Sequence, residues 1–502
     1  MQNRLNRPLA LIILDGWGDS SLREGNAIAA AHTPFYDEVC RLYPRASLAA
    51  AGPSVGLPSN SPGTPEVGHL NLGTGRVVRS NISRLSDAVR SGEFFTNKVL
   101  QQAFGRSASK GSAVHLIGLL SDAGLNSSLE NLFALLRMAK AENVSEVFVH
   151  CILDGRDCLP RTADVYVDAL EIKMSEIGIG RIASLCGRFY AMDTAGKWER
   201  TARAFTMLVH GEGERASEPK TAIRNSFLRG IAEEFIAPVV LTDSGDKPLA
   251  MLKEGDTAIF FNHRADGMRQ LVKSLAGSAG RPVDADAALI CLTEYDASLG
   301  LPVAFPVETQ NNFLAQVLAN NGIGNCRITE SERSAHISYL FNGGSDMDLP
   351  GESHAHIASP KRDSFEMAPE LSSFKIADRF RQEIAVGGGE VYFINLPASG
   401  IVAETGNFHK TVESVQFVDT CLGGILDSLA AANGMAVITS SYGNCCEMQT
   451  EGAGAAVPLS IVDQGSFQIR PDGSLQDVAP TILGLLGLEK PPEMSGNDLR
   501  II

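Results

Sequence analysis

The residues whose types and spacing most clearly suggest a chemical role lie in a glycine-rich stretch, Pro58–Val78. Five glycines surround or interrupt it: Gly56, Gly63, Gly68, Gly73 and Gly75. Thr64, Pro65 and Glu66 predict the start of a helix, because threonine caps well, proline needs no N–H at the first position, and an acid suits the first turn. The free N–H groups at such a start point to one spot, which favours an anion.

Asp15 is a second candidate. It follows the apolar run Leu9–Leu14, which predicts a strand buried on both faces of a mostly parallel sheet. Ligands of open α/β sheets bind at the carboxyl ends of the strands. Asp15 is therefore either a ligand-binding carboxylate or a residue that caps the following loop.

Three further strand ends carry arginines. Arg156 and Asp157 follow a predicted strand over 146–153, Arg188 follows one over 181–186, and Arg264 follows one over 257–261. A guanidinium binds carboxylate or phosphate through two hydrogen bonds, and Asp157 can accept from hydroxyls. Surface ion pairs are the alternative for such neighbours. Arginines at three strand ends favour a pocket for a small anionic polyhydroxy acid.

The elements around these residues alternate between strand and helix, which predicts an α/β fold. The middle of the chain contributes strands over 113–120, 146–153, 181–186, 257–261 and 287–292, with helices over 129–142 and 163–177. The two ends contribute helical periodicity over 25–43, helices over 312–321 and 477–488, and strands over 390–395, 434–439 and 457–462. We expect a second domain inserted into the first, because the early residues need the late strands to complete their sheet.

Composition limits the classes of function. At 502 residues the chain exceeds one typical core, which predicts two domains. Its net charge of −15 argues against a nucleic-acid partner, and the first apolar run is too short for a signal peptide or a membrane span. Nine scattered cysteines fit a reducing cytoplasm.

The glycine-rich stretch resembles the cofactor-independent phosphoglycerate mutases, in which it reads Gly-Asn-Ser-Glu-Val-Gly-His-Leu-Asn. The resemblance covers essentially the whole chain, including residues 23–29 and 477–481. It implies an alkaline-phosphatase-like three-layer domain, residues 1–79 and 312–502, interrupted by an inserted α/β substrate domain, residues 82–309. The linkers would be 79–82 and 309–312, and the protein would be a monomer.

The resemblance also assigns roles in substrate binding. It gives Arg156, Asp157, Arg188 and Arg264 to the substrate, places Arg333 at a family lysine that holds the phosphoryl group, and places Asn126 at a family histidine. Two family arginines are Thr194 and Gly267 here. The serine that accepts the phosphoryl group is Pro65, which leaves Thr64 as the candidate acceptor. Against that role, its hydroxyl is expected to cap its own helix without a base to activate it.

The family holds two divalent cations, and most of the implied ligands are replaced. Asp15 remains and Glu404 stands at a histidine, but Gly400 stands at an aspartate and Ser441 with Tyr442 at an Asp-His pair. The last histidine falls near position 452. We expect no metal cofactor, with Asp15 and Glu404 as remnants. Manganese stays open through a shifted set drawn from Glu66, His69, His354, His356, His409 and Glu447.

The sequence therefore predicts a divergent member of this family that binds a small phosphorylated or phosphonylated carboxylate without metal-dependent phosphoserine chemistry. One alternative is a transferase that moves a phosphoryl or phosphonyl group to a glycerate-like acceptor by positioning and arginine electrostatics. Another is an ordinary mutase with a rebuilt metal site.

Overall fold

The computed structural model divides the chain into two compact units. The first comprises Met1–Ser80 and Glu308–Ile502, and the second comprises Asn81–Val307. The structure describes residues 7–194, 196–277, 288–306, 308, 310–345, 347–360, 365–387, 390–448, 454–463, 465 and 468–501. Positions 287, 309 and 452, which the sequence analysis used, lie outside these ranges. The expected linker 79–82 spans one division between the units, and 309–312 begins just after the other.

The first unit is built on an eight-stranded sheet in the described part of the chain. In spatial order its strands are Glu352–Ile357, Asn325–Glu330, Val391–Leu396, Leu9–Leu14, Met435–Thr439, Val457–Val462, Arg45–Ala49 and Asp472–Ser474. The first five are mutually parallel, and Val457–Val462 is antiparallel to both of its neighbours. A short antiparallel pair, Gln468–Ile469 with Arg500–Ile501, lies apart from it.

The strand Leu9–Leu14 lies inside this sheet, and all six of its residues are buried. Leu9, Leu11 and Ile13 pack into one apolar cluster, whereas Ala10, Ile12 and Leu14 pack into another. Since successive side chains of a strand point to opposite faces, both faces of the sheet are covered. The expected buried strand, with Asp15 directly after its carboxyl end, is confirmed.

Helices cover both faces of this sheet. They are Ala27–Ala30, Pro34–Leu42, Pro65–Thr74, Leu314–Asn320, Ser373–Ala385, Ala398–Ala403, Phe408–Ala431 and Val478–Leu485, with a π-helical turn at His336–Leu340. The helical periodicity over 25–43 corresponds to two helices, Ala27–Ala30 and Pro34–Leu42. Proline lacks the N–H that a continuous helix requires, and Pro34 therefore begins the second helix.

The second unit contains another eight-stranded sheet among its described residues. Its strands, in spatial order, are Val303–Phe305, Ala288–Thr293, Thr257–Phe260, Val114–Leu120, Val147–Leu153, Arg181–Gly187, Val239–Leu241 and Glu214–Ala216. Every pairing is parallel except that of Arg181–Gly187 with Val239–Leu241. Its helices are Asn81–Ser91, Lys98–Lys110, Leu129–Ala141, Ala163–Ile177, Arg188–Ala191, Trp198–His210, Pro219–Leu228 and Arg269–Leu275. The expected mostly parallel α/β fold is confirmed in both units.

No helix in the described ranges is both long enough and apolar enough to cross a membrane. All nine cysteines are free thiols. Cys40 in the first unit and Cys158 in the second are partly exposed, and the other seven are buried.

A line of buried polar side chains crosses three neighbouring strands of the second sheet. Asp256 Oδ2 lies 3.2 Å from His115 Nε2, and His115 Nδ1 lies 2.9 Å from His150 Nε2. His150 Nδ1 lies 2.7 Å from Ser184 Oγ. Burial, and then the neighbouring His115, lower the pKa of His150 well below its ordinary value. The folded chain therefore holds His150 neutral.

This line of residues predicts acid sensitivity. The folded state disfavours a charged His150. The contribution of this residue to the free energy of unfolding is therefore complete above the pKa of an unfolded histidine, about 6.5, and is lost as the pH falls below that value. For one such group the loss is about 2 kcal/mol at pH 5. Urea unfolding between pH 7 and 5 should therefore show a smaller loss of stability for His150→Gln than for the unmodified protein.

The exposed His210 provides the control. His210→Gln should keep the steep dependence of the unmodified protein. If the free energy of unfolding changes with pH equally in the His150 and His210 variants, this interpretation of the buried His150 is wrong.

Candidate functional site

The second unit contains a cavity of about 570 Å³, a volume typical of a small-molecule site. Its lining includes every arginine that the strand ends suggested in this unit: Arg156, Arg188 and Arg264. Asn126 and Asp157 also line it. We call this cavity the arginine pocket. The carboxyl ends of neighbouring parallel strands meet at one edge of a sheet, which brings these side chains together.

Arg188 is held rigidly in the arginine pocket by two carboxylates. Its Nη1 lies 2.6 Å from Asp154 Oδ1 and 2.8 Å from Asp157 Oδ2. Asn126 Nδ2 donates to the same Asp157 oxygen at 2.5 Å. Burial opposes ionisation of Asp154, but hydrogen bonds from the Asp157 amide, Ser121 and Arg188 hold its pKa below the ordinary value. Arg188 and Asp157 therefore form a preorganised ion pair in the wall.

The other arginines of the pocket are more exposed. Arg264 Nε lies 3.1 Å from Asp266 Oδ2. Arg156 is exposed, and within the described residues its guanidinium forms no ion pair. Of the arginines that line the pocket, Arg156 is thus the one whose charge remains available to an incoming anion.

The pocket contains charged residues that the sequence analysis missed, namely Asp193, Arg200, Glu234 and Asp266. Arg200 Nη1 lies 2.9 Å from Asp193 Oδ2, and its guanidinium stacks 3.9 Å from the centre of the Phe189 ring. It comes from the first turn of the helix Trp198–His210 rather than from a strand end. No local sequence signal distinguishes it from an ordinary surface arginine.

Thr194 and Gly267, which stand at two family arginines, both line the same pocket. A Cβ atom built on Gly267 would lie 2.6 Å from Met192 Cε. A side chain at position 267 would therefore require Met192 to move. The pocket retains four arginines, balanced by the carboxylates of Asp157, Asp193, Glu234 and Asp266.

In the first unit, the glycine-rich stretch forms the expected helix, Pro65–Thr74. Thr64 is its N-cap, and its side-chain oxygen accepts a hydrogen bond from the Val67 amide at 3.3 Å. This is the capping role that the sequence analysis weighed against a role as phosphoryl acceptor. A role for Thr64 as phosphoryl acceptor stays a prediction.

Two glycines of this helix allow close packing. A Cβ atom on Gly68 would overlap the carbonyl oxygen of Ser441, and one on Gly73 would overlap the carbonyl oxygen of Phe341. Both obstacles are backbone atoms, which cannot move aside as a flexible side chain can. The contact at Gly68 brings the helix against the segment that carries Ser441 and Tyr442.

Asp15 is the centre of a polar group, which we call the Asp15 cluster: Asp15, His69, Arg333, His336, Glu404, Ser441 and Tyr442. Glu404 is exposed and His336 is partly buried, whereas the other five are buried. The Asp15 side chain has no solvent exposure. Ser441 Oγ donates a hydrogen bond to Asp15 Oδ1, and His69 Nε2 lies 3.9 Å from the same oxygen. His69, one of the residues considered for a shifted metal site, therefore lies beside Asp15.

Arg333 provides the positive charge of the cluster. Its Nη2 lies 2.6 Å from Glu404 Oε1, and its Nε lies 3.8 Å from Asp15 Oδ2. Tyr442 Oη donates to the same Glu404 oxygen at 3.1 Å. Burial alone would lower the pKa of Arg333. The residues around it, which include Tyr442 and both carboxylates, outweigh burial and raise this pKa above its ordinary value. Arg333, which the resemblance assigned to the substrate, lies in this cluster and does not line the arginine pocket.

Two other members of the cluster stay uncharged. Burial, followed by the nearby His69 and Arg333, lowers the pKa of His336 to about 3. Burial, followed by Asp15 and Glu404, raises the pKa of Tyr442 well above its ordinary value. His336 is thus a neutral imidazole, and Tyr442 a protonated donor, at neutral pH.

These residues do not fit the two divalent cations that the resemblance implies. Hard cations need several oxygen or nitrogen donors, whereas here a guanidinium already pairs with Glu404, and Gly400 offers no side chain. Among the described residues, no three His, Cys, Asp or Glu side chains are grouped so as to hold a metal ion. The position near 452 lies outside those residues.

The packing of the glycine-rich helix can be tested with a matched pair of substitutions. Gly68→Ala should destabilise the protein by about 1–3 kcal/mol, because the new methyl group meets the Ser441 backbone. Gly105 lies inside the helix Lys98–Lys110 with open space where its Cβ would be. Gly105→Ala should therefore stabilise by about 0.5–1 kcal/mol. Thermal unfolding should show a lowered Tm for Gly68→Ala and a raised Tm for Gly105→Ala. An unchanged Tm for Gly68→Ala would contradict the close approach of the helix to the Ser441 backbone.

Comparisons with known proteins identify the family. A family model for the N-terminus of bisphosphoglycerate-independent phosphoglycerate mutases matches residues 85–297. The chain is 42% identical to the 2,3-bisphosphoglycerate-independent phosphoglycerate mutase of Desulforudis audaxviator, over 98% of this chain and 99% of that protein. It is 40% identical to the enzyme of the same name from Moorella thermoacetica, over 99% and 98%.

A solved structure agrees with these relatives. The crystal structure of Leishmania mexicana phosphoglycerate mutase at low cobalt concentration matches with a TM-score of 0.80 and 26% identity, over 100% of this chain and 99% of that chain. The chain belongs to the 2,3-bisphosphoglycerate-independent phosphoglycerate mutase family.

Proposed function

We propose that this phosphoglycerate-mutase-like protein binds a small phosphorylated or phosphonylated carboxylate in the arginine pocket, and that it does not perform metal-dependent phosphoserine transfer. The arginine pocket is the observation that carries the first part. Arg156 is exposed and forms no ion pair with the described residues, and it lies beside the fixed pair of Arg188 and Asp157. This arrangement suits an acid that carries both a charged group and hydroxyls.

The Asp15 cluster supports the second part. In-line phosphoryl transfer needs an activated acceptor and strong neutralisation of charge. Here Pro65 has no nucleophile, the Thr64 oxygen caps a helix, and the Asp15 cluster lacks a set of metal ligands among the described residues. The names of the relatives favour phosphoglycerate as the first ligand to test.

Ligand binding can be measured by thermal shift. A ligand that binds only the folded state at about 100 times its Kd adds about 2.7 kcal/mol of stability, which raises the Tm by several degrees. We expect this shift with 3-phosphoglycerate or a phosphonate analogue, and a much smaller one with glycerate, which lacks the phosphoryl group. If no phosphorylated or phosphonylated acid shifts the Tm, the pocket proposal is wrong.

The same assay tests Arg156. Arg156→Ala should weaken binding roughly 10- to 100-fold, because one charge-assisted contact is lost. It should leave the Tm without ligand unchanged, since Arg156 is exposed. Arg137→Ala, at an exposed helix position of the same unit, is the matched control and should keep the ligand shift. Arg188→Ala should instead lower the Tm without ligand, because it leaves Asp154 buried and unpaired.

Activity is tested separately. Interconversion of 3- and 2-phosphoglycerate should stay at background with and without Mn²⁺. Robust mutase turnover would overturn the second part of the proposal and leave the binding result standing. Transfer of a phosphoryl or phosphonyl group to glycerate without metal would replace simple binding by a transferase function at the same pocket.

A further inference from the structure

Two positions at which the resemblance implies metal ligands are sterically linked. A Cβ atom built on Gly400 would overlap the Tyr442 hydroxyl, and it would lie 3.0 Å from Tyr442 Cζ and 3.0 Å from the Asp15 carbonyl carbon. The Tyr442 ring therefore occupies the space that an aspartate at position 400 would need. Tyr442 is itself 3% exposed, so its ring has little room to move away.

In the Asp15 cluster, the positive charge of Arg333 lies near the carboxylates of both Asp15 and Glu404. Asp15 Oδ1 accepts from Ser441, which leaves Oδ2 without a hydrogen-bond partner within the described chain. The nearest positive charge to that oxygen in the cluster is Arg333 Nε, at 3.8 Å. The same guanidinium lies 2.6 Å from Glu404. One fixed cation thus faces both carboxylates that stand at implied metal-ligand positions, the retained Asp15 and Glu404 in place of a histidine.

We propose that the Arg333 guanidinium is a built-in cation that takes the place of the divalent metals implied by the family resemblance, with Tyr442 packed on Gly400 closing the space for a ligand side chain. A guanidinium keeps its proton in proteins, so this charge cannot be removed by a chelator or by a change of pH in the ordinary range. It also repels an approaching metal ion and competes with it for Glu404.

This inference rests on the part of the proposed function that sets metal chemistry aside. The built-in cation and the proposed absence of metal-dependent chemistry can be contradicted by different results. Stoichiometric Mn²⁺ in the protein without mutase turnover would overturn the built-in cation alone, whereas turnover that depends on Mn²⁺ would overturn both. Binding to the arginine pocket is independent of either result, because that pocket lies within the second unit.

The first experiment uses the unmodified 502-residue protein. It is treated with chelator, incubated with excess Mn²⁺ or Zn²⁺, passed through gel filtration and analysed for metal. We expect no stoichiometric metal and no change in Tm on addition of Mn²⁺. One or two equivalents of metal retained by the protein, with a raised Tm, would overturn the proposal.

The second experiment removes the cation. Arg333→Gln should lower the Tm by several degrees, because Asp15 stays buried without a positive partner. Arg333→Lys keeps a positive charge and should lower the Tm clearly less than Arg333→Gln does. The double variant Asp15→Asn with Arg333→Gln removes both charges, so its loss should be smaller than the sum of the two single losses. Additive losses, or equal losses for the Gln and Lys variants, would contradict a charge-compensating role.

A third comparison tests the steric link. Gly400→Asp should lower the Tm strongly in the unmodified protein and less in a Tyr442→Ala background, since the smaller side chain vacates the space. The same cost in both backgrounds would show that Tyr442 does not block the position.

Discussion

A carboxylate that is buried in a protein needs positive charge or hydrogen bonds to replace the water it has lost. Asp15 is such a carboxylate, without solvent exposure at the end of a central strand. Its surroundings follow from this requirement: Ser441 donates to one oxygen, and Arg333 faces the other. The arrangement around Asp15 in turn fixes the contacts of Glu404 and Tyr442.

The fold supplies the positions that this arrangement needs. The strand Leu9–Leu14 is parallel to both of its neighbours, Val391–Leu396 and Met435–Thr439. The segments that leave the carboxyl ends of these strands carry Asp15, Gly400 and Tyr442, and they meet at one edge of the sheet. Small residues let the segments approach closely, as the glycines at positions 68 and 400 show. The same topological rule assembles the arginine pocket in the second unit.

Much of this could be predicted from the sequence, and the exceptions have physical reasons. Continuous apolar runs mark strands buried on both faces, so Asp15 and the arginines at strand ends were predictable. The strand Asn325–Glu330 was missed because it carries polar residues inside, among them Arg327, which is fully buried and lies 2.7 Å from Glu352. Arg200 was missed because its place in the pocket depends on packing against Phe189 and Asp193. Both partners precede the helix Trp198–His210, so helical periodicity does not relate them to Arg200.

The distribution of thiols has a practical consequence. Cys40 lies in the first unit and Cys158 in the second, and they are the two partly exposed cysteines, whereas the other seven are buried. A maleimide dye should therefore attach first to one position in each unit, without any engineered cysteine. Energy transfer between a donor and an acceptor on these two thiols would give the distance between the units in solution, and its change when a small acid is added.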